Sequence, residues 1–207
     1  MLKTELLKTE IFRDYSDKDL VKEEEAVRFS LLENPQNIEN LKSLAAILYY
    51  KRDYNGAIKL YEKIVKANPE NADYTAFLGY LYHENENYEN AIDYFNKSLE
   101  IAPDNSFVHF LLGNAYSRAG LIKEAINSYD FAIFLDLDIY TAHLDFAKKY
   151  EAIGQKQRAL KEYVIAYEID PREKNIINKI NELKADIVQM AHHGQNGATE
   201  ELYKIIN

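Results

Sequence analysis

The chain has 207 residues, of which 47% are apolar and 29% are charged, with a formal net charge of −9 and no cysteine. The missing cysteines exclude disulfide bonds, thiolate metal sites and cysteine nucleophiles, and they are compatible with a reducing cytosol. The negative charge disfavours nucleic acids and anionic membrane surfaces as partners, because both repel an acidic protein. The N-terminus lacks the continuous apolar core of a signal peptide, and the longest apolar run, LAAILYY at residues 44–50, is far shorter than the ~20 residues that span a bilayer. We therefore expect a cytoplasmic protein with no membrane insertion.

Residues 1–37 are expected to form a degenerate pair of helices. The stretch 17–34, DKDLVKEEEAVRFSLLEN, has helical spacing, with Ser16 or Asp17 as its N-cap and Pro35 directly after its end. Its partner helix would lie within residues 2–14. We interpret this pair as a cap over the apolar end of the units that follow, with self-association through a terminal helix as the alternative.

Proline marks a repeat of 34 residues. Pro35, Pro69, Pro103 and Pro171 all lie on one lattice, with a single position skipped. If Ile38 is position 1 of a 34-residue frame, four copies agree in side-chain size at five further positions. These are position 7 (Leu44, Leu78, Leu112, Phe146), position 8 (Ala45, Gly79, Gly113, Ala147), position 11 (Leu48, Tyr82, Tyr116, Tyr150), position 20 (Ala57, Ala91, Ala125, Ala159) and position 24 (Tyr61, Phe95, Tyr129, Tyr163). The sequence thus predicts four copies of one unit, at residues 38–71, 72–105, 106–139 and 140–173.

Each unit is predicted to hold two helices, because its apolar residues recur at spacings of 3 and 4. The first covers roughly positions 2–14 and the second roughly positions 18–31. The turns between them carry Arg52-Asp53-Tyr54, Glu86-Asn87-Tyr88, Gly120 or Gly154, and glycine suits such a C-terminal cap because it adopts positive φ readily. Small side chains at positions 8 and 20 would allow close approach of the two helices, and aromatic ones at positions 11 and 24 would fill the remaining space.

The third unit departs from the proline pattern, since Leu137 stands at the proline position between Asp136 and Asp138. An aspartate can cap the next helix without proline, so we expect the turn to persist there. Three interpretations stay open: a softer junction, a buried Leu137, or a substitution that is simply tolerated.

Residues 174–207 are expected to form C-terminal capping helices. An amphipathic helix is predicted over residues 173–191, with apolar side chains at Ile176, Ile177, Ile180, Leu183 and Ile187. The stretch HHGQNG then breaks the pattern, and ATEELYKII is predicted to form a short last helix.

This pattern resembles the tetratricopeptide repeat family, whose 34-residue units are helix–turn–helix hairpins. LGYLY at residues 78–82, LGNAYSRAG at 112–120, and the segments 91–103 and 159–171 carry the resemblance. It implies an all-α fold, a right-handed α-solenoid of antiparallel helix pairs. Position 4, often aromatic in this family, holds Leu41, Thr75, His109 and His143, which affects the packing rather than the resemblance.

The resemblance implies a protein-binding scaffold or adaptor that holds a peptide segment of a partner in a concave groove. A chaperone for an exported protein and a regulatory subunit of an enzyme complex are the alternatives. One subclass of the family grips C-terminal carboxylates with five polar residues, of which only Lys42 has a counterpart here. We therefore expect an apolar or aromatic peptide as the ligand.

In stacked units the first helices line the inner wall, and positions 2, 5, 9, 12 and 13 face it. The middle of this wall is aromatic, and clustered exposed aromatic side chains usually mark a binding surface. Asn114 can hold a peptide backbone, while Arg118 and Lys148 can pair with a carboxylate. The candidate peptide-binding residues are Lys42, Tyr49, Phe77, Tyr80, His83, Phe107, Phe110, Asn114, Arg118 and Lys148. Alternatively, neighbouring first helices bury part of these rings against each other.

Motifs for catalysis are missing from the sequence, which has no phosphate-binding glycine loop, no His-Glu-x-x-His and no nucleophile elbow. His109 and His143 share position 4 and are expected to pack between helices. The His192-His193 pair has no further ligands that the sequence indicates. We expect no catalytic residue, no metal site and no cofactor.

Overall fold

The computed structural model describes residues 2–3 and 17–192 of the chain. Within residues 17–192 it contains ten α-helices and no strand. They are α1 (Asp17–Glu33), α2 (Ile38–Tyr50), α3 (Tyr54–Ala67), α4 (Ala72–Glu84), α5 (Tyr88–Ile101), α6 (Ser106–Arg118), α7 (Ile122–Phe134), α8 (Ile139–Ala152), α9 (Lys156–Ile169) and α10 (Lys174–His192). The predicted last helix, the cap at Ser16 and most of the predicted helix over residues 2–14 lie outside the described residues.

The repeat predicted the helices closely, because every helix from α2 to α9 begins and ends within two residues of its expected position. The described helices fall into two compact units, with the boundary between Leu137 and Asp138. In the first unit α2–α3, α4–α5 and α6–α7 form pairs, consecutive pairs stack through α3–α4 and α5–α6, and α1 packs on α2. In the second unit α8 pairs with α9, and α10 packs on α9.

Close approach of paired helices depends on the small residue at position 8, as expected. A Cβ atom added to Gly79 would lie 2.9 Å from the Phe95 ring, and one added to Gly113 would lie 2.7 Å from the Tyr129 ring. Position 8 of one helix therefore meets position 24 of its partner. Ala91, at position 20, is fully buried beside the first of these contacts.

The turns inside the pairs all place position 15 in the left-handed region. The φ angles are 63° at Arg52, 60° at Glu86, 78° at Gly120 and 71° at Gly154. In each turn the next N–H donates to the carbonyl five residues earlier, for example from Asp53 to the Leu48 oxygen at 2.8 Å. The glycine expectation is confirmed, and two non-glycine residues adopt the same conformation.

Side-chain caps begin the first helices of all four pairs. The N-cap residues accept a hydrogen bond from the backbone N–H three residues later, and they are Asn37, Asn71, Asn105 and Asp138. The three asparagines each lie two residues after a proline. They satisfy N–H groups that the start of a helix would otherwise leave without a partner.

The junction at Leu137 keeps its turn by different means. Asp138 accepts hydrogen bonds from the Thr141 backbone at 3.1 Å and from its hydroxyl group at 2.7 Å. Asp136 takes a φ of 61°, and the Leu137 N–H, which proline would lack, donates to the Ala132 carbonyl at 3.0 Å. Leu137 is half-buried rather than buried. A softer junction stays a prediction.

The C-terminal helix α10 buries four of its five predicted apolar side chains, and only Ile177 is exposed. Two ion pairs fasten it within the second unit: Lys156 to Asp186 and Lys179 to Glu151, both with a 2.6 Å contact.

Candidate peptide-binding face

The predicted binding residues lie on the first helix of each pair, and we call the surface that they define the inner face. In the first unit it comprises the predicted binding residues of α2, α4 and α6: Lys42, Tyr49, Phe77, Tyr80, His83, Phe107, Phe110, Asn114 and Arg118. Lys148, the tenth, lies exposed on α8 of the second unit.

Four aromatic side chains from α2, α3 and α4 form one cluster on the inner face. The ring centroids of Tyr49 and Tyr80 are 6.1 Å apart, and Phe77 meets Tyr80 edge-on at the same distance. Phe77 of α4 also stacks on Tyr61 of α3, the partner helix of α2, with 4.4 Å between the ring centroids. The inner face is thus continuous with the packing between helix pairs.

A second cluster lies on α6 and its partner α7. Phe107 stacks on Phe110 at 5.9 Å, and Phe110 lies 6.2 Å from Tyr129. The Tyr129 hydroxyl donates to the Asn114 amide oxygen at 2.7 Å. That bond uses one of the two acceptor sites of the oxygen, so Asn114 can offer a ligand its amide N–H groups and one remaining lone pair.

The expectation that Tyr49, Tyr80, Phe107 and Phe110 are exposed is wrong. Tyr80 is 2% exposed, Phe110 is completely buried, and Tyr49 and Phe107 are also buried. The contacts between α2, α3 and α4, and between α6 and α7, show one cause. Rings of neighbouring first helices pack against each other, as the alternative interpretation stated, and Phe110 also reaches the paired helix α7, which that interpretation did not include. Among the predicted aromatic residues, Phe77 is the half-buried one.

A buried polar chain runs beside the first aromatic cluster. The Tyr49 hydroxyl donates to the Glu84 carboxylate at 2.7 Å, and the Tyr80 hydroxyl lies 2.9 Å from the Tyr49 oxygen. Since the single proton of Tyr49 goes to Glu84, Tyr80 is the donor in the second bond. Glu84 is 1% exposed. It was not among the predicted binding residues, although its place at position 13 put it on the predicted inner wall.

His83 lies next to this chain without joining it. Its Nδ1 atom is 3.7 Å from a Glu84 oxygen, beyond hydrogen-bond distance, and its ring packs edge-on against Tyr88 at 5.5 Å. Both ring nitrogens are buried and have no hydrogen-bond partner in the described part of the chain. Folded proteins rarely leave such atoms unsatisfied.

The basic residues of the inner face differ in accessibility. Lys42 is half-buried, with its ammonium group 3.7 Å from Glu39 and 5.7 Å from the centre of the Tyr74 ring. Arg118, the last residue of α6, is exposed. Arg118 can therefore meet a ligand directly, whereas Lys42 is already held by neighbours on α2 and α4.

The histidines at position 4 pack between helices, as expected. The His109 ring lies 2.9 Å from the Pro103 carbonyl and stacks on Phe131 at 5.4 Å. His143 is buried and its Nδ1 atom lies 2.7 Å from Glu162. No group of three potential metal ligands occurs within the described residues, and the predicted pair at 192–193 lies outside the described side chains.

None of the helices in the described ranges has both the length and the apolar character that crossing a membrane requires.

Comparison with known proteins agrees with this architecture. Two family models, both described as tetratricopeptide repeat, match residues 43–106 and 94–127. Among solved structures, a crystal structure of MamA aligns over 76% of this chain and 92% of its own, with a TM-score of 0.57 and 22% identity. A MamA structure from MSR-1 aligns over 56% and 67%, with a TM-score of 0.52 and 26% identity. A thermophilic TPR protein in Thermus thermophilus aligns over 80% and 91%, with a TM-score of 0.52 and 20% identity.

No curated protein matches the sequence. The helix pairs and their packing define an all-α solenoid fold. Residues 43–127 of the chain consist of tetratricopeptide repeats. In general, proteins of this family are scaffolds for protein–protein interaction and are not enzymes.

Proposed function

We propose that this chain is a scaffold or adaptor whose inner face in the first unit binds a peptide segment of a partner protein. The observation that supports this most is the half-buried Phe77 ring, which adjoins the buried aromatic cluster and lies on the same helix as His83. Its accessible part can pack on an apolar side chain of a ligand, and the buried, unsatisfied His83 nitrogens would gain a partner if the His83 ring rotated towards the ligand.

The accessible inner-face residues are proposed to touch the ligand. Phe77, which is half-buried, packs against an apolar side chain, and exposed Arg118 pairs with a carboxylate. His83 hydrogen-bonds a polar group after its ring rotates, because both nitrogens are buried in the free chain. The buried rings, such as Tyr80 and Phe110, form the packed layer beneath these residues and do not contact the ligand. Lys148 is proposed to pair with a carboxylate of the partner from the second unit.

Affinity capture from native lysate tests this proposal. The bait is the wild-type chain, and the variants are His83→Leu, which removes the nitrogens but keeps volume, and Phe77→Ala. His109→Leu is the matched control, because His109 lies on the other side of its helix and contacts Pro103 and Phe131. Thermal unfolding checks that each variant is folded.

We expect mass spectrometry to identify proteins that bind the wild type and the control but are lost from both inner-face variants. Recovery of the same proteins with all four baits would refute the inner face as the binding surface.

Composition and the repeat pattern support our proposals for the class of partner, the cellular location and the domain organisation. The net charge of −9 supports protein rather than nucleic-acid partners, and the sequence supports a cytoplasmic location. The division into four repeats with a cap at each end is our proposal for the domain organisation. Self-association through a terminal helix is proposed as an alternative interaction, which light scattering on the purified chain would detect.

A further inference from the structure

A second surface, on α1 and α3, carries an apolar groove that the proposed function does not use. Phe29 is 65% exposed and Leu32 is 78% exposed, although both are large and apolar. Together they border a groove of about 600 Å³, which we call the outer groove and define by Phe29, Leu32, Leu41, Leu44, Leu60 and Lys63. Contiguous exposed apolar surface of this kind usually marks an interaction site.

The repeat frame explains why the groove is open. Phe29 and Leu32 lie one repeat length before Lys63 and Lys66, so α1 has apolar side chains where α3 has lysines. In the third repeat, the side chain at position 4 is covered, because His109 stacks on Phe131 of α7. In the first repeat the position of Phe131 is taken by Lys63. No aromatic ring of α3 stands over Leu41, which is buried and forms the floor of the groove.

The charge around the groove is unlike that of the whole chain. Lys59, Lys63 and Lys66 lie one turn apart along α3, and all three are exposed. The acidic residue of α3, Glu62, accepts a hydrogen bond from the Tyr82 hydroxyl at 2.8 Å. On the α1 wall Arg28 pairs with Glu24 at 2.7 Å, and Glu25 is exposed. One wall of the groove is thus basic in a protein of net charge −9.

We propose that the outer groove binds an amphipathic helical segment of a partner protein. Two apolar side chains of that segment, spaced three or four residues apart, fill the groove between Phe29 and Leu60. Its aspartate or glutamate residues face the three lysines of α3. A helix fits because the groove runs between two helices, and because side chains at this spacing project from one side of a helix.

A display library of 16-residue helical peptides, selected on the full wild-type chain, tests the proposal. Enriched peptides are then measured against Phe29→Glu and against the combined change Lys59→Glu, Lys63→Glu and Lys66→Glu. Phe134→Glu is the matched control, because Phe134 is 80% exposed on α7, away from the groove. Phe29→Ala is a second groove variant, which adds no charge.

We expect the enriched peptides to combine paired apolar residues with an excess of carboxylates. Their affinity falls at least about tenfold with either Phe29 variant or with the lysine changes, weakens as salt is added, and is unaffected by Phe134→Glu. Peptides that bind Phe29→Ala as well as wild type, basic peptides, or no enrichment at all would overturn the proposal. So would a wild-type dimer that Phe29→Glu dissociates, since the groove would then join two copies of the chain. These variants leave His83 and Phe77 intact, so failure here is distinguishable from failure at the inner face.

Discussion

The hydroxyl group of Tyr49 donates a 2.7 Å hydrogen bond to the carboxylate of Glu84, and this bond joins α2 to α4. Both side chains are buried, and the Tyr80 hydroxyl extends the chain by one further bond. A buried hydrogen-bonded chain of this kind fixes how two neighbouring helices align, because any slip would leave a polar group unsatisfied. The inner face is therefore a packed layer with a few accessible residues.

The two tyrosines should differ in their contribution to stability. Tyr49→Phe removes the donor to Glu84 and the acceptor for Tyr80, so we expect the free energy of unfolding to fall by about 1–3 kcal/mol. Tyr80→Phe removes a bond between two hydroxyl groups and should cost about 1 kcal/mol. Urea denaturation measures both. A larger loss for Tyr80→Phe than for Tyr49→Phe would contradict the assigned direction of the chain.

The left-handed turn residues offer stabilising substitutions. Arg52→Gly and Glu86→Gly should each raise the free energy of unfolding by about 0.5–1 kcal/mol, because both residues hold positive φ that glycine adopts without strain. Gly120→Ala is the reverse control. A Cβ there would meet nothing within 4 Å, so its expected cost of about 1–2 kcal/mol is purely conformational. If Gly120→Ala were neutral, strain at this position would not be the explanation.

Sequence periodicity predicted the repeats because the features that set them are local. A proline, a small residue and an aromatic residue at fixed spacing decide where a helix ends and how closely its partner approaches. The N-cap asparagines two residues after Pro35, Pro69 and Pro103 were equally readable, although they were not predicted. Periodicity predicts the side of the helix from which a side chain projects. It does not predict whether neighbouring side chains bury that side chain. Tyr80 and His83 were both placed on the inner wall, yet Tyr80 proved buried and hydrogen-bonded, and the His83 nitrogens proved unsatisfied.

The close contact at Gly113 should make alanine unfavourable there. Alanine favours a helix by about 1 kcal/mol over glycine, but its Cβ would lie 2.7 Å from the Tyr129 ring, and such overpacking costs about 1–3 kcal/mol. We expect Gly113→Ala to lower the melting temperature. The double variant Gly113→Ala with Tyr129→Leu should recover part of the loss. A more stable Gly113→Ala would show that the two helices separate more readily than their packing implies.

Tyr82 should remain protonated far into the alkaline range. Burial raises the pKa of Tyr82 to about 12, and its hydrogen bond to Glu62 acts in the same direction. Because the folded pKa exceeds the unfolded value of about 10, this stabilisation is complete below pH ~10 and is lost as the pH rises towards about 12. The difference between absorbance titrations of wild type and Tyr82→Phe reports this group alone. A midpoint near pH 10 would contradict the prediction, whereas Glu62→Gln should lower the midpoint.

Photo-crosslinking at Phe77 is the most direct test of whether the inner face of the first unit binds a partner protein. A benzoyl-phenylalanine at position 77, on the inner face, is compared in native lysate with the same residue at positions 29 and 134. We expect position 77 to crosslink to a partner protein and these crosslinks to vanish when His83→Leu is added. Position 134 should give no crosslink to that partner. Crosslinks to that partner from position 134 alone would contradict binding at the inner face. So would crosslinks from position 77 that are equally strong with and without His83→Leu.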